Sequence, residues 1–292
     1  MRSHKLPRTL RAAMAASLLA CAQAAVADGA LRVCADPDNL PFSNQKREGF
    51  ENKIAALLAS DLRADLIYTW QKQRQNFIRQ TLGARRCDVV MGVPHGFERV
   101  LSTRPYYRSS YVFVTAKRRH LAISSLDDPA LRTLKIGLHA MGHDGSNTPP
   151  AHALARRGLV ANIVGFPMWD QASVANPQGR IVDAVASGHI DVAIVWGPIG
   201  GFFAKQYGNA LVVTPVPADA DMPSMPFAYE MAMGVRKDDA ALAAQLEKSL
   251  ERKRREIHDI LAAYHIPLTQ PSTDSTPPQP GTDRANPPNP QH

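Results

Sequence analysis

The sequence predicts an α/β protein of two lobes joined by paired crossings, and three observations carry that prediction. Short apolar runs of strand character alternate with segments of helical apolar spacing, once over residues 31–93 and again over residues 134–214. Two further extended segments, residues 110–115 and 229–235, fall between and after those units. The foldable stretch, residues 30–266, is longer than one hydrophobic core usually serves.

The elements follow in order. Residues 31–35 are a short apolar run that ends in Asp36-Pro37-Asp38-Asn39-Leu40-Pro41, which neither strand nor helix can continue, so a first strand empties into a loop. After Gly49, the residues Phe50, Ile54, Leu57 and Leu58 keep helical spacing, and a strand follows at 66–70. Phe77, Ile78 and Leu82 make a second helix and residues 87–93 a third strand. This alternation implies a parallel sheet with right-handed crossovers, whose first and third strands are neighbours in the common doubly wound order. The second unit reads as strand 135–138, helix 150–157, strand 160–165, helix 179–187, strand 191–196, helix 199–207 and strand 210–214. The extended segments then act as a double hinge, and the chain returns to the first lobe for helices 240–249 and 252–264. Lobe 1 is expected over residues 28–114 plus 228–266 and lobe 2 over residues 115–227.

Both ends differ from this body. Residues 1–27 have the layout of a secretory leader: Arg2, Lys5, Arg8 and Arg11, an apolar stretch at 12–20, and Ala25-Val26-Ala27 as a cleavage site, so the exported chain begins at Asp28. Leu18-Leu19-Ala20-Cys21 also fits a lipid-attachment site, an alternative that would tether Cys21 to a membrane. The apolar stretch is shorter than the roughly 20 residues a bilayer requires, and no later segment reaches that length. From residue 267 to 292 the chain is rich in Pro, Thr, Ser, Gln and Asn and is expected to be a disordered tail. Lys and Arg number 34 against 26 Asp and Glu, a net charge of +8, but four of the basic residues lie in the leader, leaving 30 against 26, or +4. The one dense basic cluster, Lys253-Arg254-Arg255, is interleaved with Glu247, Glu251 and Glu256 and reads as a solvated, ion-paired helix face, not a nucleic-acid surface. After export Cys34 and Cys87 remain, and an even pair in an oxidising compartment reads as one disulfide, the alternative being two buried thiols.

Chemistry is confined to a few positions. Asp36, Asn39 and Phe42 sit in the loop after the first strand, where open α/β sheets bind ligands, although Asp, Asn and Pro also serve plain turn chemistry there. Trp70 and Trp196 both end strands and would either wall a cleft or fill a core. His139, His143 and His152 invite a metal reading, but the segment around His143 is loop-like. A loop leading into a helix N-terminus, able to hold an anion at the cleft, is the preferred reading. Asp36 and Asp38 alone are too few oxygen ligands for a hard cation, so no metal and no cofactor is expected. Gly-x-Ser-x-Gly, His-Glu-x-x-His and phosphate-loop patterns are absent from the sequence, so a binding protein is expected, not an enzyme.

Cys34-Ala35-Asp36 running to Pro41-Phe42-Ser43, Cys87-Asp88-Val89-Val90-Met91-Gly92, and Glu98-Arg99 ahead of Pro105-Tyr106-Tyr107 resemble the type II periplasmic solute-binding proteins over residues 31–266. The resemblance implies a two-lobed fold with a ligand cleft closing about a double hinge, and it places Arg99 where amino-acid-binding relatives clamp a ligand carboxylate. It also exposes a departure: near Trp196-Gly197 the amino-acid binders carry an Asp for the ligand ammonium, and this chain does not. More narrowly, residues 35–44, Gly49-Phe50-Glu51-Asn52-Lys53-Ile54, Thr103-Arg104-Pro105-Tyr106-Tyr107 and Val195-Trp196-Gly197-Pro198 are similar to the J-type solute-binding-like accessory proteins of quinoprotein methanol dehydrogenase systems. That resemblance implies a periplasmic partner, a PQQ-dependent alcohol dehydrogenase or its cytochrome c, with a small-molecule ligand in the cleft left open. The alternative is a receptor that hands a small organic solute to an ABC transporter.

Overall fold

The computed structural model describes residues 29–140, 147–168 and 176–270. The leader with Cys21, the residue His143 and positions 271–292 lie outside the described residues.

Lobe 1 is organised by β1 (Ala30–Ala35), β4 (Asp65–Trp70) and β5 (Val89–Pro94), with β1 parallel to both neighbours. Between β1 and β4 the chain makes a small ribbon, β2 (Asp38–Asn39) against β3 (Ser43–Asn44), and then α1 (Phe50–Leu62). The start of α1 is fixed by Asn52, whose side-chain oxygen accepts from the Gly49 amide at 3.1 Å and the Asn44 amide at 3.1 Å. Phe50, Ile54 and Leu58 face inward at helical spacing and are fully buried. The second helix is a single turn, α2 (Phe77–Gln80), shorter than its apolar spacing predicts because Asn76 enters it in a left-handed conformation and the chain folds back at Gly83. Cys34 of β1 and Cys87, two residues ahead of the neighbouring β5, are joined by a disulfide, their Cα atoms 5.5 Å apart.

Two strands cross between the lobes. The strand β7 (Tyr107–Ala116) follows the two-residue β6 (Leu101–Ser102) and pairs through residues 107–110 with β12 (Ala228–Val235) of lobe 1. Through residues 111–116 it pairs instead with β10 (Val192–Trp196) and β11 (Leu211–Pro215) of lobe 2. The changeover therefore falls between Ser110 and Tyr111, four residues ahead of the expected boundary at 114. In lobe 2, β8 (Ile136–Ala140) lies parallel between β9 (Ile163–Pro167) and β10. Helices α3 (Pro149–Arg156), α4 (Arg180–Ser187) and α5 (Gly197–Lys205) connect the strands. The β9 strand starts three residues later than its sequence predicts, since Val160 is 58% exposed and Ile163 is the residue that pairs with Ile136.

The chain returns through β12 to α6 (Ala240–Arg252) and α7 (Arg254–Ala263) on lobe 1. Three basic residues at the junction of these helices are ion-paired, Arg252 with Asp61, Lys253 with Glu256 and Arg254 with Glu251. Residues 267–270, expected in the tail, instead run along the crossing strand. Leu268 bridges Ser109, the Thr269 amide donates to the Arg108 carbonyl at 3.0 Å, and Ser109 Oγ donates to the Pro267 carbonyl at 2.6 Å. Hydrogen-bond satisfaction of an otherwise open strand flank orders them despite their composition. Among the described residues no helix is long and apolar enough to cross a membrane.

Candidate ligand cleft between the lobes

The strand ends and hinge residues enclose a cavity of about 450 Å³, within the range of small-molecule sites. Lobe 1 contributes Asp36, Asn39, Phe42, Glu51, Phe77 and Met91, and lobe 2 contributes His139, Thr148, Met168, Ile194 and Trp196. The hinge strands add Tyr111 and Tyr229.

The loop after β1 is shaped by Asp36, whose carboxylate accepts from the Asp38 amide at 2.9 Å and the Gln73 amide at 2.5 Å. Burial raises its pKa while those two amides oppose the rise. Asp36 therefore holds the loop, and both readings of it meet: turn chemistry places the residue at the cavity wall. Asn39 spans the cleft, its side-chain oxygen accepting from Gln178 Nε2 at 2.9 Å, and the Asp38 carbonyl accepts from the same nitrogen at 3.2 Å. Phe42 packs against both lobes, its ring tilted against Phe50 at 5.4 Å.

Trp196 is the centre of an aromatic wall. Its ring lies 5.4 Å from Tyr111 and 5.8 Å from Tyr229, both in tilted edge-to-face arrangements that join the end of β10 to the two crossing strands. Trp70 is not in the cavity: β4 is the edge strand of the sheet, and Trp70 stacks on Tyr68 at 4.5 Å there. Arg99 is likewise outside. The turn after β5 buries its neighbour Val100 against Gly234, which carries Arg99 to the exposed side, in a shallow depression that adjoins the cavity and shares Gln73, Arg74, Phe77, Gly92 and Pro94 with it. His143 lies outside the described residues, and the anion-binding helix start expected beside it is poorly suited to that task. Pro149 and Pro150 occupy its first two positions and supply no amide protons.

Sequence reasoning missed four contributors. Glu51, in the first turn of α1, places its carboxylate over Gly92, where a Cβ would overlap Oε1. A glycine inside a strand is the signal of such close approach. No hydrogen bond or ion pair reaches this carboxylate among the described residues, and burial pushes its pKa up to about 8. Tyr111 and Tyr229 read only as members of extended segments. Gln178, just ahead of α4, gave no signal at all. Its carbonyl accepts from the His139 imidazole at 3.2 Å, and burial lowers the His139 pKa to about 4, so the ring is neutral at neutral pH. Among the described residues no group of three or more His, Cys, Asp or Glu is placed to hold a metal ion.

Gln178 is a latch between lobes. Gln178→Ala removes two cross-cleft hydrogen bonds, worth about 0.5–1.5 kcal/mol each, and is expected to shift the chain toward an open form with a larger radius of gyration by small-angle scattering. An unchanged scattering curve would count against the latch.

Comparison with known proteins accords with this geometry. The chain is 33% identical over 254 residues to Protein MoxJ of Methylorubrum extorquens, covering 85% of this chain and 84% of that protein. It is 31% identical over 272 residues to Protein MoxJ of Paracoccus denitrificans, covering 87% of this chain and 94% of that protein. The crystal structure of the periplasmic binding protein XoxJ from Methylobacterium extorquens AM1 superposes with a TM-score of 0.68 at 34% identity, covering 82% of this chain and all of that one. The family model of bacterial extracellular solute-binding proteins, family 3, matches residues 31–265, across both lobes and the cleft between them, and the chain belongs to that family.

Proposed function

We propose that the protein is a periplasmic, solute-binding-like accessory protein that assists or activates a PQQ-dependent alcohol dehydrogenase in methanol oxidation. The observation that carries this reading is relatedness along almost the whole chain to two MoxJ proteins, joined to the resemblance of residues 35–44 and 195–198 to the J-type accessory proteins. The cleft supports it as well. Arg99, the position of a carboxylate clamp in amino-acid binders, lies outside the cavity. The partner is the dehydrogenase or its cytochrome c, and a two-lobed chain that opens and closes presents a surface a partner can select in one state. The second reading, a receptor delivering a small organic solute to an ABC transporter, is favoured by the enclosed cavity and its Gln178 latch.

Deletion of the gene is expected to lower dye-linked alcohol dehydrogenase activity and PQQ occupancy in periplasmic extract, with recovery when the purified protein is added back. Full activity in the deletion strain with every relevant alcohol and metal would remove the accessory reading in favour of the transport one.

A further inference from the structure

The interior of the cavity holds one ionisable group that the fold does not use. Asp36 is committed to two backbone amides, His139 is neutral, and Arg74 stands exposed at the mouth, whereas the Glu51 carboxylate faces the interior with no partner among the described residues. A carboxyl group kept in poor solvent without a counter-charge weakens the fold, and such groups recur where a ligand supplies the missing charge. The same cavity is walled by Tyr111, Trp196 and Tyr229, and aromatic rings attract cations to their faces. On the lobe 2 side the Thr148 hydroxyl, at the N-cap of α3, makes no cap bond and finds no partner among the described residues.

We propose that the cleft is a binding site for a small free organic ammonium ion, with Glu51 as its counter-charge and Tyr111, Trp196 and Tyr229 as its aromatic enclosure. An anion is disfavoured by the carboxylate and by the two prolines that strip amides from the start of α3. A metal ion lacks ligands, since one carboxylate among aromatic rings replaces little of a hydration shell. An α-amino acid would bring its own carboxylate into a cavity from which Arg99 is absent. This inference is independent of whether the protein serves a dehydrogenase or a transporter.

Binding would be pH-dependent in a defined direction. The groups facing Glu51 are the phenols of Tyr68, Tyr106 and Tyr107, all held neutral by burial, with Asp36 and His139 elsewhere in the cavity. Below about pH 8 the empty site carries a proton on Glu51 that a cation must displace, so affinity should rise about tenfold per pH unit up to that point and then level.

The test is calorimetric titration of the full exported chain at pH 8.5 and 6.5 with choline, with butylammonium, and with 3,3-dimethylbutan-1-ol, the uncharged carbon isostere of choline. The expected result is choline or butylammonium bound about tenfold or more tighter than the alcohol, with the preference reduced at pH 6.5. Glu51→Gln, which keeps shape and removes charge, should abolish the preference without loss of thermal stability, and Trp196→Ala should weaken the ammonium ions more than the alcohol. An alcohol bound as well as the cations, a preference that survives in Glu51→Gln, or no binding of any probe by a protein shown folded by circular dichroism would each overturn the proposal.

Discussion

Replacing both Cys34 and Cys87 by alanine is expected to lower the stability of lobe 1 by about 4 kcal/mol, the chain-entropy value for a loop of this length. The bridge spans a sequence separation of 53, a stretch that runs from the end of β1 through α1, β4 and α2 to the approach to β5, which is most of the framework beneath the cleft. Both sulfurs lie in an apolar cluster with Phe77, Leu82 and Val100, so alanine also leaves small voids and the loss should not fall below the entropic figure. Neighbouring Arg236 ties the same region from the other side, donating to the Cys87 carbonyl at 2.7 Å and to Asp88 at 3.1 Å, so β5 stays docked and the unfolding remains cooperative. Thermal unfolding should show a melting point lower by about 10 °C in the double variant. A change below about 1 kcal/mol would mean that the unbridged loop is already restrained in the unfolded chain.

Truncation after His265 is expected to destabilise the protein by about 4 kcal/mol, while truncation after Gln270 leaves every contact described above intact. The shorter chain loses Ile266, which is 5% exposed in the lobe 1 core, a burial worth about 1.5–3 kcal/mol. It also loses the hydrogen bonds of residues 267–270 to Arg108 and Ser109 on the crossing strand. The consequence is not confined to lobe 1, because this segment rests on α5 of lobe 2. Pro267, lost in the shorter chain, sits where a Cβ at Gly201 would come within 2.8 Å of its Cδ. The residues just ahead of it, retained in both chains, continue the contact, with the His265 carbonyl oxygen over Gly201, Lys205 Nζ donating to the Ala263 carbonyl at 3.1 Å and Phe202 stacked on Tyr264 at 5.7 Å. The C-terminal segment is thus a third link between lobes beside β7 and β12. Gly201→Val, which wedges that contact between two backbones, should cost about 2–3 kcal/mol and lower the melting point by about 5–10 °C. Equal melting points for the two truncations would contradict the contribution of residues 266–270.

The legible part of the site shares one property: proximity along the chain to a strand end. Asp36, Asn39 and Phe42 were readable because Asp-Pro-Asp-Asn-Leu-Pro must be a loop, and a loop at the carboxyl end of a first strand borders the cleft. Glu51 was not readable in that way. It occupies an ordinary first-turn position, and only the approach of α1 to Gly92 makes it a cavity residue. Gln178 meets Asn39 across 139 residues of sequence, a separation at which no local pattern carries information.

The sequence by itself determined the order of strands and helices, the two crossings and the family, because apolar periodicity and turn chemistry are local and repeat every two or 3.6 residues. Only the tertiary structure decided which side chains face the cleft. Trp70 and Trp196 both end strands, yet β4 is at the edge of the sheet and β10 lies beside the crossing strand, so one tryptophan stacks outside and the other forms the wall. Arg99 and Val100 are neighbours in a turn, and the core can take only one of them. The apolar side chain wins that place against Gly234, and the guanidinium is turned to water.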